Sequence, residues 1–415
     1  MVSLDEFLVE ATTAGPGLQR RLPGCVLAAY KDGATHYKSF GTKSLNPNSL
    51  CFNEPLSIDT CMWVASCTKL MTAIAALQCV EKGLLNLDDD ISTVLPEWKE
   101  REVLLGFDEA TGSPLLEKAE GKISLRMLLT HSSGLGYTFM EPQLARYIKY
   151  KTERGWKIES ELLCPNDPVP LLFNPGTSWK YGIGSDWAGK MVERVTGLSL
   201  GDFMYQNIWQ PLGMTLTSFR LLERPDIQAR QADLSVRGAG GAVFPHPAPF
   251  MPVDTPTDHG GGGVYSCPRD FIKVLVACVT SDPKLLTPAS YDLLCEPSLS
   301  AESAANLNET RKAMYAAADA AVEAMGLRMP IPAPTHMSWA PGGMVVAKDV
   351  PGGRKAGSIS WGGLPNLSWV VDRASGVALL YASQLLPPGD KLTAQVVRQL
   401  EAEVYSGKFF EGKLG

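Results

Sequence analysis

The sequence predicts an α/β (α+β) fold in which a central antiparallel sheet is flanked by helices and carries a helical insertion domain. Three observations lead to this prediction. β-Rich segments stand at both ends of the 415-residue chain, and apolar patterns of helical period dominate between residues 66 and 222. A chain of this length exceeds the usual size of a single core, so an insertion or a second domain is expected. Strands at both ends, with helices between them, indicate that the two ends share one sheet.

The first predicted elements are a hairpin and a long helix. Two β-rich runs flank residues 31–33, and the Asp-Gly pair there favours a tight turn. The helix begins near Ser66 and is followed by Gly83, a stop signal. Its apolar residues recur at helical spacing, at Leu70, Ile74, Leu77 and Val80.

The rest of the chain divides into helices, a loop and a second group of strands. Further helices are predicted for Leu125 to Leu129, Ser185 to Val195, Leu200 to Trp209, Glu309 to Met325 and Leu392 to Tyr405. The stretch from Arg224 to Gly263 is rich in Gly, Pro and Asp and is predicted to be a loop or boundary. The segments GMVVAKD, GSISW, LSWVVD and GVALLYASQ are predicted to be successive strands. We therefore expect a sheet-containing domain of residues 1–60 and 255–415, and a mainly helical domain of residues 61–254 that carries the Ser66 helix at the interface.

Composition excludes several classes of function. The net charge is −6 and no long basic run is present, so nucleic acid is not an expected partner. Neither a signal peptide nor a run of about 18 apolar residues is found, which predicts a soluble cytoplasmic protein without a membrane partner. The nine cysteines are scattered and lack CxxC spacing, so neither a zinc site nor a disulfide framework is expected.

Ser66 and Lys69 are three residues apart at the start of the predicted helix. Residues i and i+3 share one helix face, so Lys69 can reach the Ser66 hydroxyl, which needs a neighbouring base to become a nucleophile. Burial and the positive helix N-terminus would both lower the pKa of such a lysine. The spacing alone is not specific, because Ser281 and Lys284 repeat it in a turn that contains Pro283. A helix cap is the alternative interpretation of Ser66.

Longer phrases add specificity. They include ASCTKLMTAIAALQCVEKGLLNLDDDISTVLP, ISLRMLLTHSSGL, WKYGIGSDWAGKMVERVTGLSLGDFMYQNIWQPLGM, GGGGVYSCPRDFIKVL and GSISWGGLPNLSWVVD. In this order the sequence resembles the serine hydrolases and transferases related to class C β-lactamases, penicillin-binding proteins and family VIII esterases. The resemblance implies a β-lactamase/transpeptidase-like fold. Within the family the chain is most similar to fungal acyltransferases of the lovastatin pathway, which move an acyl group from a carrier-protein thioester to a polyketide alcohol.

The resemblance implies a role for three residues. Ser66 matches the family's nucleophile and Lys69 its base partner. Tyr181 occupies the place of the second catalytic element, a tyrosine. The literal Tyr-x-Asn string, Tyr205-Gln206-Asn207, lies in a segment where the family has a structural helix, so Tyr205 is expected to be a core or surface residue. Residues 183–184 stand where relatives carry asparagine, so one polar contact is expected to be missing.

The third family element is altered. Trp361, Gly362 and Gly363 stand where lactamases carry Lys-Thr-Gly, whose lysine attracts the substrate carboxylate. Replacing that cation by an indole favours neutral or apolar esters over β-lactams. The resemblance implies that the Leu364 and Ser66 amides form an oxyanion hole. The alternative interpretation is an edge strand with a Gly-Gly turn and a core tryptophan.

The remaining candidates are weaker. His131 could pair with a serine, but a capping or core histidine is expected. His246 and His259 lack a fixed third ligand, so no metal site is predicted. The glycine run at residues 260–263 lacks phosphate-binding spacing and is expected to let backbone pass close to the site.

Taken with the resemblance, these residues predict a serine acyltransferase that works through an acyl-serine and without a cofactor. The donor would be a thioester of coenzyme A or of an acyl carrier protein domain of a polyketide synthase, and the acceptor an alcohol of a polyketide-type small molecule. Three alternatives stay open: a carboxylesterase acting on side-chain esters of such metabolites, a β-lactamase or D-peptidase, and a catalytically silent binding protein.

Overall fold

The computed structural model describes residues 3–15, 20–156, 169–250, 253, 255–324 and 336–411, without the side chains of residues 313–324. The α-helices are α1 (Leu4–Thr12), α2 (Thr68–Glu81), α3 (Leu125–Leu129), α4 (Pro142–Thr152), α5 (Gly184–Thr196), α6 (Leu200–Met204), α7 (Pro225–Gln228), α8 (Pro268–Thr280), α9 (Pro288–Cys295), α10 (Ala301–Ala324) and α11 (Lys391–Ser406). The strands are β1 (Gly24–Lys31), β2 (Ala34–Gly41), β3 (Met62–Trp63), β4 (Glu102–Phe107), β5 (Pro114–Lys118), β6 (Ser235–Arg237), β7 (Val243–Pro245), β8 (Tyr265–Ser266), β9 (Met337–Ala340), β10 (Gly343–Val346), β11 (Ile359–Gly363), β12 (Leu367–Asp372), β13 (Val377–Ala382) and β14 (Leu385–Leu386).

The main sheet joins the two ends of the chain, as predicted. Its seven strands lie in the order β2-β1-β13-β12-β11-β10-β9, and each neighbouring pair is antiparallel. The predicted hairpin connects β1 and β2, with Asp32 at φ 50° and Gly33 at φ 84° in its turn. Two successive positive φ angles are what a tight type I′ hairpin turn requires.

Opposite faces of the sheet bury separate cores. Because side chains alternate along a strand, Cys25, Leu27 and Ala29 of β1 face one side and Val26 and Ala28 the other. The first set packs with α1 and α11. The second belongs to a larger core that also contains residues of α2, α5 and α8. Helices therefore cover both faces of the sheet.

Several elements were not predicted from the sequence. The stretch from Arg224 to Gly263 is not loop throughout, because it contains α7, β6 and β7. β6 pairs in parallel with β14, about 150 residues further along the chain, so local composition does not reveal it. The β4–β5 hairpin lies in the region predicted to be helical, and its exposed Leu105 and Leu115 obscure the alternation expected of a half-buried strand. The predicted end of the alanine-rich helix, Met325, lies outside the described residues.

The division into two domains stays our proposal, with the boundaries given above. Across the ranges that the structure describes, no helix combines the length and the apolar character needed to cross a bilayer.

Candidate active site

Ser66 lies on a sharp turn that leads into α2. It is the middle residue of a 3₁₀ turn, Ala65–Cys67, and the α-helix begins two residues later than predicted, at Thr68. Ala65 has φ 46°, a left-handed conformation that costs free energy in a non-glycine residue. Neither the 3₁₀ turn nor α2 has a side-chain cap, so Ser66 is not a helix cap. Its half-buried hydroxyl accepts a hydrogen bond from Lys69 Nζ at 3.3 Å.

Lys69 is buried, with 7% of its surface exposed, and its ammonium is surrounded by oxygen atoms. Nζ donates to the Tyr137 hydroxyl at 2.8 Å and to the Gly261 carbonyl at 2.5 Å, besides Ser66. Tyr137, which the sequence interpretation missed, follows the predicted LLTHSSGL segment by two residues. No spacing rule connects it to Lys69, because the contact spans 68 positions. A tyrosine just after a recognised family segment was the one available signal.

Tyr181 faces the same ammonium with its ring. Lys69 Nζ lies 4.9 Å from the centroid of the Tyr181 ring, within the range of a cation–π contact. The Tyr181 hydroxyl accepts a hydrogen bond from Trp361 Nε1 at 3.1 Å and, within the described residues, makes none to Lys69 or Ser66. The structure thus brings the predicted tyrosine to the site but gives Tyr137 the direct contact with lysine.

Two places after Tyr181, where the family motif has asparagine, stands Ile183, which is buried between two glycines. A Cβ on Gly184 would lie 2.1 Å from the Leu128 carbonyl oxygen, and one on Gly182 would lie 2.2 Å from that of Leu135. Neither position accommodates a side chain in this backbone.

Aromatic side chains form the wall of the site beside Tyr181. Trp361 is half-buried, with its ring centroid 5.0 Å from that of Tyr181 and 4.6 Å from that of Trp339. Trp179 packs on Trp339 at 5.5 Å. The position at which lactamases carry a lysine therefore belongs to an apolar surface.

The alternative of an edge strand with a Gly-Gly turn is wrong, because Gly362 and Gly363 are strand residues that pair with β12, and earlier residues of β11 pair with β10. β11 is bonded to β10 and β12 on either side. A Cβ on Gly363 would lie 2.4 Å from the Val64 carbonyl oxygen, two residues before Ser66. Glycine is what allows β11 to approach the nucleophile turn this closely.

The predicted oxyanion hole stays a prediction. Leu364 directly follows β11, and its amide donates to no acceptor within the described ranges. The Ser66 amide belongs to the first turn of a helix, where N–H groups lack partners in the helix. Both amides are thus available to an oxyanion.

The glycine run does pass close to the site. Three successive carbonyls, those of Gly260, Gly261 and Gly262, accept hydrogen bonds from Thr72 Oγ1, Lys69 Nζ and Trp63 Nε1 at 2.7, 2.5 and 2.7 Å. All three donors belong to α2 or to the strand before the nucleophile turn.

The histidines have other roles than base or ligand. His131 Nδ1 accepts a hydrogen bond from the Gly182 amide at 3.3 Å, and burial holds the pKa of this histidine well below its usual value. Its ring packs 4.6 Å from that of Tyr181. His259 lies 3.8 Å from an Asp186 oxygen, and His246 contacts the Ala248 carbonyl. No cluster of three or more metal-ligating side chains occurs among the described residues.

Neither the described cysteines nor the Tyr205-Gln206-Asn207 string contributes a residue to the site around Ser66 and Lys69. Eight of the nine cysteines are described and all eight are free, while Cys164 falls outside the described residues. Burial raises the pKa of the Cys67 thiol, next to Ser66. Tyr205 is 51% exposed in a π-helical turn, Tyr205–Trp209, consistent with the surface position expected for it.

Comparisons with known proteins identify the family and the fold of the chain. The family model described as Beta-lactamase matches residues 6–403. Monacolin J acid methylbutanoyltransferase of Aspergillus terreus is 36% identical over 395 residues, covering 93% of this chain and 92% of that protein. Lovastatin esterase of Penicillium rubens is 35% identical over 395 residues, covering 93% and 94%. A mutant of simvastatin synthase from Aspergillus terreus superposes with a TM-score of 0.85 at 34% identity, covering 99% and 95%, which confirms the predicted fold.

Proposed function

Because this chain belongs to the beta-lactamase family, as its motifs predict, we propose that its Ser66 transfers acyl groups from a thioester donor to an alcohol of a polyketide-type small molecule. The chain is a serine-dependent enzyme of the acyltransferase and esterase type. Donor and acceptor are the parts that we propose. The observation that carries the proposal is the hydrogen bond between Ser66 and the buried Lys69, beside the aromatic wall that contains Trp361.

In the acylation step Lys69 acts as the base, and oxygen atoms surround its side-chain nitrogen. This step requires Lys69 as the neutral amine: Ser66 Oγ then attacks the thioester carbonyl carbon while its proton passes to Nζ. The Tyr137 hydroxyl and the Gly261 carbonyl, at 2.8 and 2.5 Å, accept hydrogen bonds from the ammonium that results. The amides of Ser66 and Leu364 stabilise the oxyanion, the C–S bond breaks, and the leaving thiolate takes the proton from Lys69 Nζ, which restores the amine.

Transfer to the acceptor uses Tyr181. The alcohol oxygen attacks the acyl-serine carbonyl, its proton is relayed through the Tyr181 hydroxyl, and Ser66 leaves with a proton restored to Oγ. The Trp361 N–H, 3.1 Å from the Tyr181 oxygen, orients that hydroxyl. Trp361 and Trp339 give the acceptor an apolar surface.

One feature disfavours a substrate carboxylate beside Trp361, and a second supports a small-molecule substrate. Trp361 replaces the cation that attracts the carboxylate of β-lactams and D-peptides, so we rank those activities lower. Two of the relatives act, by their names, on monacolin J acid and lovastatin, both small molecules. A small-molecule substrate fits this chain as well, and an acyl carrier protein or coenzyme A as donor belongs to the proposal.

Hydrolysis of side-chain esters is the second candidate. The lovastatin esterase of Penicillium rubens is nearly as similar to this chain as the transferase of Aspergillus terreus, at 35% against 36% identity. The same acyl-serine serves both reactions, and exclusion of water decides between them.

The test measures the ratio of ester product to free acid. The protein is incubated with a short-chain acyl thioester of coenzyme A, with and without a decalin-type alcohol at about millimolar concentration. We expect a stable acyl-protein by intact mass and ester as the main product once alcohol is present. Free acid as the main product with every alcohol, with rapid cleavage of preformed side-chain esters, would show an esterase.

The chain contains two Ser-x-x-Lys strings, and the second string provides a control for the first. Ser66→Ala should abolish covalent acylation, with a loss of several orders of magnitude in rate. Ser281→Ala alters the other Ser-x-x-Lys string, where the Ser281 hydroxyl instead accepts from Arg373 at 3.0 Å, and should acylate normally. Full acylation of Ser66→Ala would remove Ser66 from the mechanism.

A further inference from the structure

A buried carboxylate lies behind the glycine run that contacts Lys69. Asp186 stands in the first turn of α5 and is 3% exposed. Its Oδ1 accepts a hydrogen bond from the Gly261 amide at 2.9 Å, and Oδ2 has no hydrogen-bond partner within the described residues. A buried carboxylate with so few partners is costly, and the positive end of α5 offsets only part of that cost.

Asp186 and Lys69 hold the same residue from opposite sides. The Gly261 amide donates to Asp186 and the Gly261 carbonyl accepts from Lys69 Nζ at 2.5 Å. A Cβ on Gly261 would lie 2.3 Å from Asp186 Oδ2, so the carboxylate is packed directly on the Gly261 backbone. Moving the carboxylate would move the carbonyl that holds the lysine.

The rest of the glycine run has little other support from α5. A Cβ on Gly260 would lie 2.7 Å from the Ser185 carbonyl oxygen, so the two backbones are in contact without a side chain between them. The amides of Gly262 and Gly263 donate back to the His259 carbonyl at 3.0 and 2.8 Å. The His259 ring lies 3.8 Å from Asp186 Oδ1, and burial lowers its pKa, which favours the uncharged imidazole. The Gly261 amide is thus a direct polar link between α5 and the run.

From these contacts we propose that Asp186 is a positioning residue for Lys69: it fixes Gly261, whose carbonyl keeps the lysine within reach of Ser66. Asp186 touches neither Ser66 nor Lys69, so it acts only through the glycine run. The inference rests on the proposed role of Ser66 and Lys69. A displacement of about 1 Å in a catalytic group can cost about a hundredfold in rate, which sets the size of the effect.

The experiment measures how fast a fluorophosphonate labels Ser66 and how an ester substrate is turned over. We expect Asp186→Ala to slow labelling about 10- to 100-fold and to lower kcat by a similar factor, with KM changed by less than about threefold. Asp186→Asn keeps an oxygen acceptor for the Gly261 amide and should restore labelling to within about threefold of wild type. Asp202→Ala removes an exposed carboxylate from the first turn of α6 and is the matched control, with labelling unchanged.

A double-mutant cycle separates positioning from general damage. If Asp186 acts through Lys69, then Asp186→Ala should add no further loss to Lys69→Ala. Independent, multiplying losses would overturn the proposal, and so would wild-type labelling of Asp186→Ala or an asparagine variant as slow as alanine. If Asp186→Ala does not fold, Asp186→Leu, which fills a similar volume without an acceptor for the Gly261 amide, tests the same link, and wild-type labelling there would overturn the proposal. Absence of labelling in the wild-type protein would instead refute the proposed function.

Discussion

Dipoles, rather than an anion, surround the Lys69 side-chain nitrogen. Among the residues that the structure describes, its hydrogen bonds go to two hydroxyls and one carbonyl, and none goes to a carboxylate. The rings of Tyr137 and Tyr181 lie 5.3 and 4.9 Å from Nζ. Two tyrosines therefore contact Lys69: Tyr137 accepts its hydrogen bond through the hydroxyl oxygen, and Tyr181 faces it with the ring.

This arrangement predicts different defects for the two tyrosines. Tyr137→Phe removes an oxygen that holds Lys69, so acylation of Ser66 should slow about a hundredfold, the usual scale for an acid–base group. Tyr181→Phe should slow transfer to the alcohol by about the same factor and labelling by less. Stopped-flow acylation and product formation measure the two steps separately. Tyr205→Phe, on the exposed π-helical turn, is the control and should change neither. Full-rate labelling of Tyr137→Phe would show that its bond to Lys69 is dispensable.

Sequence reasoning reached the residues that lie close together in the chain. Helical geometry puts Lys69 within reach of Ser66, because residues three apart lie on one helix face, and the family resemblance added their roles. Tyr137 and Asp186 contact the lysine or its glycine run across tens of residues, and nothing local in either segment indicates that contact. Tyr181 came from the family resemblance, which gave its place but not its hydrogen bond to Trp361.

Strand β11 fixes the distance between the aromatic wall and the nucleophile turn. It carries Trp361, and its last residue, Gly363, lies against the Val64 carbonyl. Strands with clear apolar runs, such as β12 and β13, were predicted to within a few residues. β9, the two-residue strands and the β4–β5 hairpin were not predicted, because short or partly exposed strands give a weak alternation.

Contact between β11 and the nucleophile turn predicts the effect of a single methyl group. Gly363→Ala places a Cβ 2.4 Å from the Val64 carbonyl oxygen, so strand and turn must separate. We expect a loss of at least about tenfold in acylation rate and of about 1–3 kcal/mol in the free energy of unfolding, the usual cost of overpacking. Gly262→Ala is the matched control, because its nearest contact is 3.8 Å, to the Ala65 carbonyl carbon. Equal effects of the two substitutions on rate and stability would contradict this account of β11.

At the scale of the whole molecule, one core connects the sheet to the site. The larger apolar cluster includes Val26 and Ala28 of β1, Leu70 and Ile74 of α2, and Trp187 of α5. The proposed domains therefore share a core, and the site lies where their elements meet. The fold class could be predicted from the sequence because both ends of the chain carry strands. The shared core could not be predicted, because the pattern of one sequence does not show which faces pack together.

Burial of histidine in this core predicts how stability depends on pH. Burial lowers the pKa of His131 and of His259, so below about 6.5, the usual value, the unfolded chain binds protons that the folded protein does not. The free energy of unfolding should therefore fall as pH decreases through this range, by up to about 1.4 kcal/mol per pH unit for each histidine. His131→Asn should reduce that slope, and asparagine tolerates the φ of 60° at this position. Denaturant titrations at about pH 7, 6 and 5 measure the slope, and Trp179→Phe, which alters the same cluster without a titrating group, should shift stability equally at all three. A slope identical in wild type and His131→Asn would show that this histidine takes up its proton in the folded state.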